Sequence, residues 1–201
     1  MVSVEFLFDV GSPNAYFAHR VIPEIERRTS VTFAYVPVLL GGIFKLTGNC
    51  SPVETFGHIK NKRAFMELEM RRFMRRHRVP FRFNPHFPVN TLHLMRAATA
   101  AQMDGGLAPY VEAVFHHMWE EPKRMDDPAM ARAALMASGI DADRLFARAQ
   151  EADVKARLME ATQDAVERGA FGSPTFFVGR EMFFGKDQLR DVEDEIAAQK
   201  A

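Results

Sequence analysis

The chain has 201 residues, 47% of them hydrophobic and 26% charged, and its 26 Lys and Arg balance its 26 Asp and Glu. That length suits one compact domain, or one domain with a large insertion, and the zero net charge argues against a general nucleic-acid binder. The single cysteine, Cys50, excludes an internal disulfide, a CxxC redox motif and a cysteine-based zinc site, and no apolar run approaches the roughly 18 residues of a membrane span.

Val2, Val4, Phe6 and Phe8 alternate with Ser3, Glu5, Leu7 and Asp9, a period of two that predicts a strand. The opening residues lack a basic stretch and carry Glu5 and Asp9, so they read as that strand and not as a signal peptide, which points to a cytoplasmic protein. Gly11 breaks the pattern, and Ser12-Pro13 opens a helix: serine is a favoured N-cap, and proline fits the first helical position because its missing N–H had no partner there. Tyr16, Phe17, Val21, Ile22 and Ile25 give this helix an apolar face ending near Arg27-Arg28, and residues 31–38 read as a second, parallel strand.

From Gly41 the character changes. Phe65, Met66, Met70, Phe73 and Met74 fall on one helical face, and further helices are predicted near 91–104, 107–120, 127–138, 141–149 and 153–168, with breaks at Pro80 to Pro88, Gly105-Gly106, Pro122, Gly139 and Gly169. No strand is predicted between about 41 and 170. Gly172-Ser173-Pro174 then leads into a hairpin, Thr175 to Val178 and Glu181 to Phe184 joined through Gly179-Arg180, and residues 186–199 form a terminal helix with Leu189, Val192 and Ile196 inward. Neither end makes a satisfactory sheet alone. Joined, they give a four-stranded mixed sheet with helices on both faces, built from residues 1–40 and 171–201 around a helical insertion at 41–170.

A βαβ–ββα order with the active residue opening the first helix, and a third strand that follows an X-Pro pair, resembles the thioredoxin fold. The helical insertion resembles its DsbA-like branch. The segments FDVGSPNAY (8–16), GGIFKLTGN (41–49), KRAFM (62–66), FPVN (87–90), AFGSPTF (170–176) and FFGKDQL (183–189), in this order, resemble the family of 2-hydroxychromene-2-carboxylate isomerases and kappa-class glutathione transferases. The resemblance implies a homodimeric enzyme with glutathione as cofactor and an aromatic small molecule as substrate. The reaction it implies interconverts 2-hydroxychromene-2-carboxylate and trans-o-hydroxybenzylidenepyruvate. A kappa-type transferase or peroxidase, or a non-catalytic glutathione- or partner-binding domain, is the alternative.

Ser12 is the implied catalytic residue, its hydroxyl and the free N–H groups of the helix start offering a place for a thiolate; on Ser-Pro alone it is an N-cap. Ala15 stands where dithiol relatives carry a second cysteine, so dithiol exchange is excluded. The resemblance places a cis proline at Pro174 and gives Ser173 the cysteinyl part of glutathione, in the manner of an added strand. It gives Lys186 and Asp187 the γ-glutamyl end; without it, Asp187 only favours a helix start. It sets Asn49, Lys62 and Asn90 along the site, Lys62 for a carboxylate of glutathione or of substrate and Asn90 for the substrate. Phe65 and Glu69 stand where relatives show tyrosine and aspartate.

Other features are set aside. Arg71, Arg72, Arg75, Arg76 and Arg78 read as a solvated or paired helix face, and the methionines as core filler. His116-His117 with Glu120-Glu121 is not HExxH, and adjacent side chains leave a helix on different sides, so no metal site is expected. Cys50 lies beside the site loop as an incidental or redox-sensitive thiol.

Overall fold

A computed structural model describes residues 2–200. Strand β1 (Val4–Phe8) leads into helix α1 (Pro13–Thr29) and strand β2 (Phe33–Pro37). Seven helices follow: α2 (Leu40–Thr47), α3 (Pro52–Phe56), α4 (Lys60–His77), α5 (Leu92–Met103), α6 (Leu107–Trp119), α7 (Pro128–Ala137) and α8 (Ala142–Arg148). Helix α9 (Ala152–Glu167) precedes the hairpin of β3 (Thr175–Val178) and β4 (Glu181–Phe184). A 3-10 turn at Lys186–Gln188 then runs into α10 (Leu189–Lys200).

The four strands form one mixed sheet in the order β2-β1-β3-β4. Strand β1 runs parallel to β2, with Val4 opposite Phe33, and antiparallel to β3, with Val4 opposite Val178. This is a DsbA-like thioredoxin fold, as the element order implied. The strands' period of two sorts the core into two layers. Val4, Phe6, Phe8, Phe176 and Val178 face α1, α5, α6 and α10, whereas Leu7 and Phe177 face Ile43 of α2 and Ala165 of α9. Phe6 is the hub of the first layer, with ring centroids 4.8 Å from Tyr35, 5.4 Å from Phe176 and 5.6 Å from Phe8. On the second face Glu5 pairs with Arg168 at 2.7 Å, and that guanidinium lies 3.7 Å from the Phe177 ring centroid.

The helices fall close to their predicted ranges, with two additions and one apolar face that is only partly covered. Gly41 and Gly42 lie inside α2, a helix the sequence reading did not assign, which packs closely on α9: a side chain at Gly42 would meet Thr162 Cγ2 at 3.1 Å. Helix α3 begins with a capping box in which Ser51 and Glu54 satisfy each other's backbone N–H. The expected apolar face of α4 is only half used: Phe73 is buried, but Phe65 is 57% exposed. The methionines divide likewise. Met95, Met118 and Met125 are buried, while Met103, Met130, Met136 and Met159 stand in solvent, where an unbranched side chain on a helix costs little.

Phe6 has no exposed surface, so Phe6→Ala removes a central aromatic cluster and should cost about 3–5 kcal/mol in urea unfolding. Met159→Ala, on an exposed side chain, should stay within about 0.5 kcal/mol of the wild type.

Candidate active site

At the end of β1 the backbone turns into α1 through Ser12, which adopts an extended N-cap conformation. Its Oγ accepts the Ala15 N–H at 3.2 Å, and its carbonyl accepts that of Tyr16 at 3.1 Å. Pro13 has no N–H. Asn14 is therefore the first-turn donor left without a partner among the described residues, at the positive end of a 17-residue helix. The Ser12 hydroxyl donates to Ser173 O at 2.8 Å, joining two segments 161 residues apart. Ser173-Pro174 is cis, as is Phe87-Pro88, which was not anticipated.

Beneath this contact lies Asp9, with no exposed surface. Its Oδ1 accepts the Gly11 N–H at 2.8 Å, and its Oδ2 accepts the Leu40 N–H at 2.8 Å and the Thr91 hydroxyl at 3.0 Å. Its own N–H donates to Ser173 Oγ at 3.0 Å, and its carbonyl accepts the Ser12 N–H at 3.0 Å. Burial pushes the carboxyl above its ordinary value, against the pull of those three donors. Sequence reasoning missed Asp9 and Thr91. The available signal was a charged residue closing an apolar strand directly before the helix cap.

The remaining candidates divide into those tied to this centre and those that are not. Gly185 N–H donates to Pro174 O at 2.9 Å, which fastens the following Lys186-Asp187 to the same loop. The Lys186 side chain is 4% exposed, its ammonium 2.6 Å from Asp187 Oδ1 and 4.9 Å from the Phe73 ring centroid, whereas the Asp187 side chain is 69% exposed. Asn49 donates to Phe171 O at 3.0 Å, just ahead of the cis peptide. Asn90 precedes the Asp9-bound Thr91, but its amide oxygen caps Leu92 N–H at 3.1 Å and it borders a separate cavity with His93, Arg96 and Asp126. Lys62 is exposed and sits over the Phe56 ring at 3.1 Å, with no contact to the Ser12 loop among the described residues. Cys50 is exposed, its thiol 3.0 Å from Thr55 Oγ1.

Residues 3–197 match the model of the DSBA-like thioredoxin domain, and the chain belongs to that family. It is 27% identical over 194 residues to a 2-hydroxychromene-2-carboxylate isomerase of Sphingobium xenophagum, covering 96% of this chain and 97% of that one. It is 24% identical over 201 residues to human glutathione S-transferase kappa 1, covering 93% and 87%. In three dimensions it is similar to a solved 2-hydroxychromene-2-carboxylate isomerase, with a TM-score of 0.83 at 24% identity over 98% of this chain and 95% of that one. A probable DsbA oxidoreductase of Streptomyces coelicolor shares the fold, with a TM-score of 0.74 at 15% identity over 100% and 92%.

Asp9→Asn replaces a carboxyl oxygen, which can accept in either protonation state, with an NH2 that cannot accept from the surrounding donors, and should destabilise the protein by about 1–3 kcal/mol. A carboxyl whose folded value is raised contributes most below its unfolded value and loses that contribution as the pH climbs through the folded one. The stability gap between wild type and Asp9→Asn should therefore be widest in acid and narrow as the pH rises from about 4, as read by urea titrations across pH.

Proposed function

We propose that this chain is a glutathione-dependent isomerase of 2-hydroxychromene-2-carboxylate-type aromatic 2-oxo acids, with Ser12 as its catalytic residue. The observation that carries this reading is the pair Ser12 and Ala15 at the start of α1, in a chain whose single cysteine, Cys50, lies elsewhere. A thioredoxin-like scaffold with no cysteine at either position has lost dithiol exchange but keeps the helix start that stabilises a thiolate brought in by a ligand. The naming of its curated relatives as isomerases and glutathione transferases supports the same reading.

The donor set fits a thiol tripeptide. Ser12 O–H and Asn14 N–H suit a thiolate, the Ser173 carbonyl suits a peptide N–H, and Lys186 with Asp187 offers one charge of each sign for an amino-acid end. Glutathione, when bound, supplies a nucleophilic sulfur whose reversible addition to a conjugated double bond permits rotation about it. Ser12 holds the sulfur in position. Its hydroxyl donates to Ser173 O, so a peptide N–H arriving at that carbonyl competes for the acceptor and frees the hydroxyl to turn toward the sulfur. Asn49, bonded to Phe171 O, steadies the loop that carries Ser173 and Pro174. Lys62, an exposed cation on α4, and Asn90 are assigned to carboxylate and substrate contacts. The same reading takes residues 1–40 and 171–201 as the sheet unit, 41–170 as the helical unit, and the active form as a cytoplasmic homodimer.

Magnitudes separate two roles for Ser12. A free thiol of pKa about 8.5 is roughly 3% thiolate at pH 7, and lowering that pKa by about 2 units raises the fraction about 25-fold. Nucleophilicity falls with pKa at a slope of about 0.4–0.5, which returns about 6- to 10-fold of that gain. Positioning must supply the rest. In a spectrophotometric assay with 2-hydroxychromene-2-carboxylate, activity should require glutathione without consuming it. Ser12→Ala should lose well over tenfold in kcat/KM, with only a minor part recovered at pH 9. Consumption of glutathione would point to a kappa-type transferase or peroxidase, and no turnover with any acceptor to a binding domain.

Exposure sets the scale at the other end of the ligand. Asp187 is largely in solvent, so Asp187→Ala should weaken glutathione binding by only about 0.2–1 kcal/mol in calorimetric titration. Lys186→Met, at a buried ammonium, should cost several times more.

A further inference from the structure

Away from Ser12, the end of α6 and the turn after it gather His116, His117 and Glu121, whose ligand atoms lie within 4.8 Å of one another. The expectation that adjacent histidines diverge fails here because they occupy the last turn of the helix. The chain folds back directly after them: Glu120 and Glu121 N–H both reach His116 O at 2.9 Å, and Lys123 N–H reaches His117 O at 2.9 Å. The two imidazole centroids are 4.9 Å apart.

Each ring has one nitrogen committed outward and one turned inward. The Ser138 hydroxyl donates to Ala134 O at 3.3 Å, so its oxygen accepts the Nε2–H of His117 at 2.9 Å. That leaves His117 Nδ1 with a lone pair, which takes the Lys123 ammonium at 2.8 Å. His116 Nδ1 donates to Glu120 at 3.2 Å, and Glu120 is itself held by the Tyr16 hydroxyl at 2.8 Å. His116 Nε2 then faces Glu121 Oε2 at 3.5 Å, two groups that a shared proton or a cation between them would join.

Two imidazoles fixed through their outer nitrogens, one carboxylate, and a cation already drawn among them form the donor set of a zinc-type centre. We infer that His116 Nε2, His117 Nδ1 and Glu121 bind a divalent transition metal of the zinc class, which displaces the Lys123 ammonium and keeps water as its fourth ligand. Bonds of about 2.0–2.1 Å in tetrahedral geometry set donors about 3.3 Å apart, so the cluster must contract by more than an ångström. The parts that move are on its outer side: the Glu121 side chain is 65% exposed and that of Lys123 32%. Imidazole donors favour zinc, nickel and copper over magnesium and calcium. A bound metal would also tie α6 to α1, through His116, Glu120 and Tyr16.

The test uses full-length protein without a histidine tag, titrated with Zn²⁺ by calorimetry and with Co²⁺ by visible absorption. The expected result is saturable one-to-one uptake with the intense bands of tetrahedral cobalt. His116→Ala and Glu121→Gln, on the exposed side, should each weaken uptake by at least about tenfold, Ser138→Ala by about tenfold through the loosened His117 ring, and Lys123→Ala should strengthen it. No saturable uptake by either wild type or Lys123→Ala would overturn the inference. Uptake that His116→Ala and Glu121→Gln leave unchanged, or that Mg²⁺ matches, would overturn it equally.

Discussion

Asp9 is a carboxyl group with no exposed surface and no ion-pair partner among the described residues, and the site is arranged around keeping it satisfied. A buried carboxylate costs several kcal/mol unless its oxygens are fully engaged. Here the donors come from the turn into α1, the start of α2 and the start of α5, and the main chain of Asp9 engages both Ser12 and Ser173. The direction of each donor is fixed by the element it begins. Four remote segments therefore meet with little freedom, and Ser12 is placed by that meeting more than by its own helix. Gly11 follows from the same constraint, since a side chain there would lie 2.8 Å from Thr91 Cγ2.

How much of this could be read from the sequence depends on the range of the interaction involved. The strands, the cap at Ser12-Pro13, the hairpin and most of the helices rest on local rules, namely periodicity, capping and turn chemistry, and they appear at or near the predicted positions. Capping signals were also present for α3 in Ser51-Pro52 and Glu54. The Asp9 network was not legible. Its partners are separated by 31 and 82 residues, and nothing in the local pattern distinguishes an aspartate that ends a strand in solvent from one buried under a helix start. The extent of the α4 contact was not legible for a related reason: an apolar stripe shows which face can be buried, and Phe73, Met70 and Met74 do pack on the core, but it does not show whether the fold supplies a surface to cover Phe65.

The charged end of the site shows the same dependence on context. Lys186 and Asp187 are adjacent in sequence, yet one side chain is 4% exposed and the other 69%. The lysine stem is enclosed beside the Phe73 ring of α4, so the ammonium is held by packing and keeps its position whether or not Asp187 turns away.

Packing density also differs between the two sides of the candidate site. Ser12, Ser173 and Lys186 are all nearly buried and stand on the sheet or on segments bonded to it. The wall from α2 to α4 that would carry Asn49 and Lys62 is different: of the 18 residues of α4 only Phe73 is buried, and α3 buries none. Local opening free energy follows the apolar contact a segment makes, so α3 and α4 open at much lower cost than α1, which buries seven residues. The tightly packed side of the candidate site thus keeps Ser12, Ser173 and Lys186 at fixed distances from one another, whereas Asn49 and Lys62 stand on a side that little buried apolar surface holds in place.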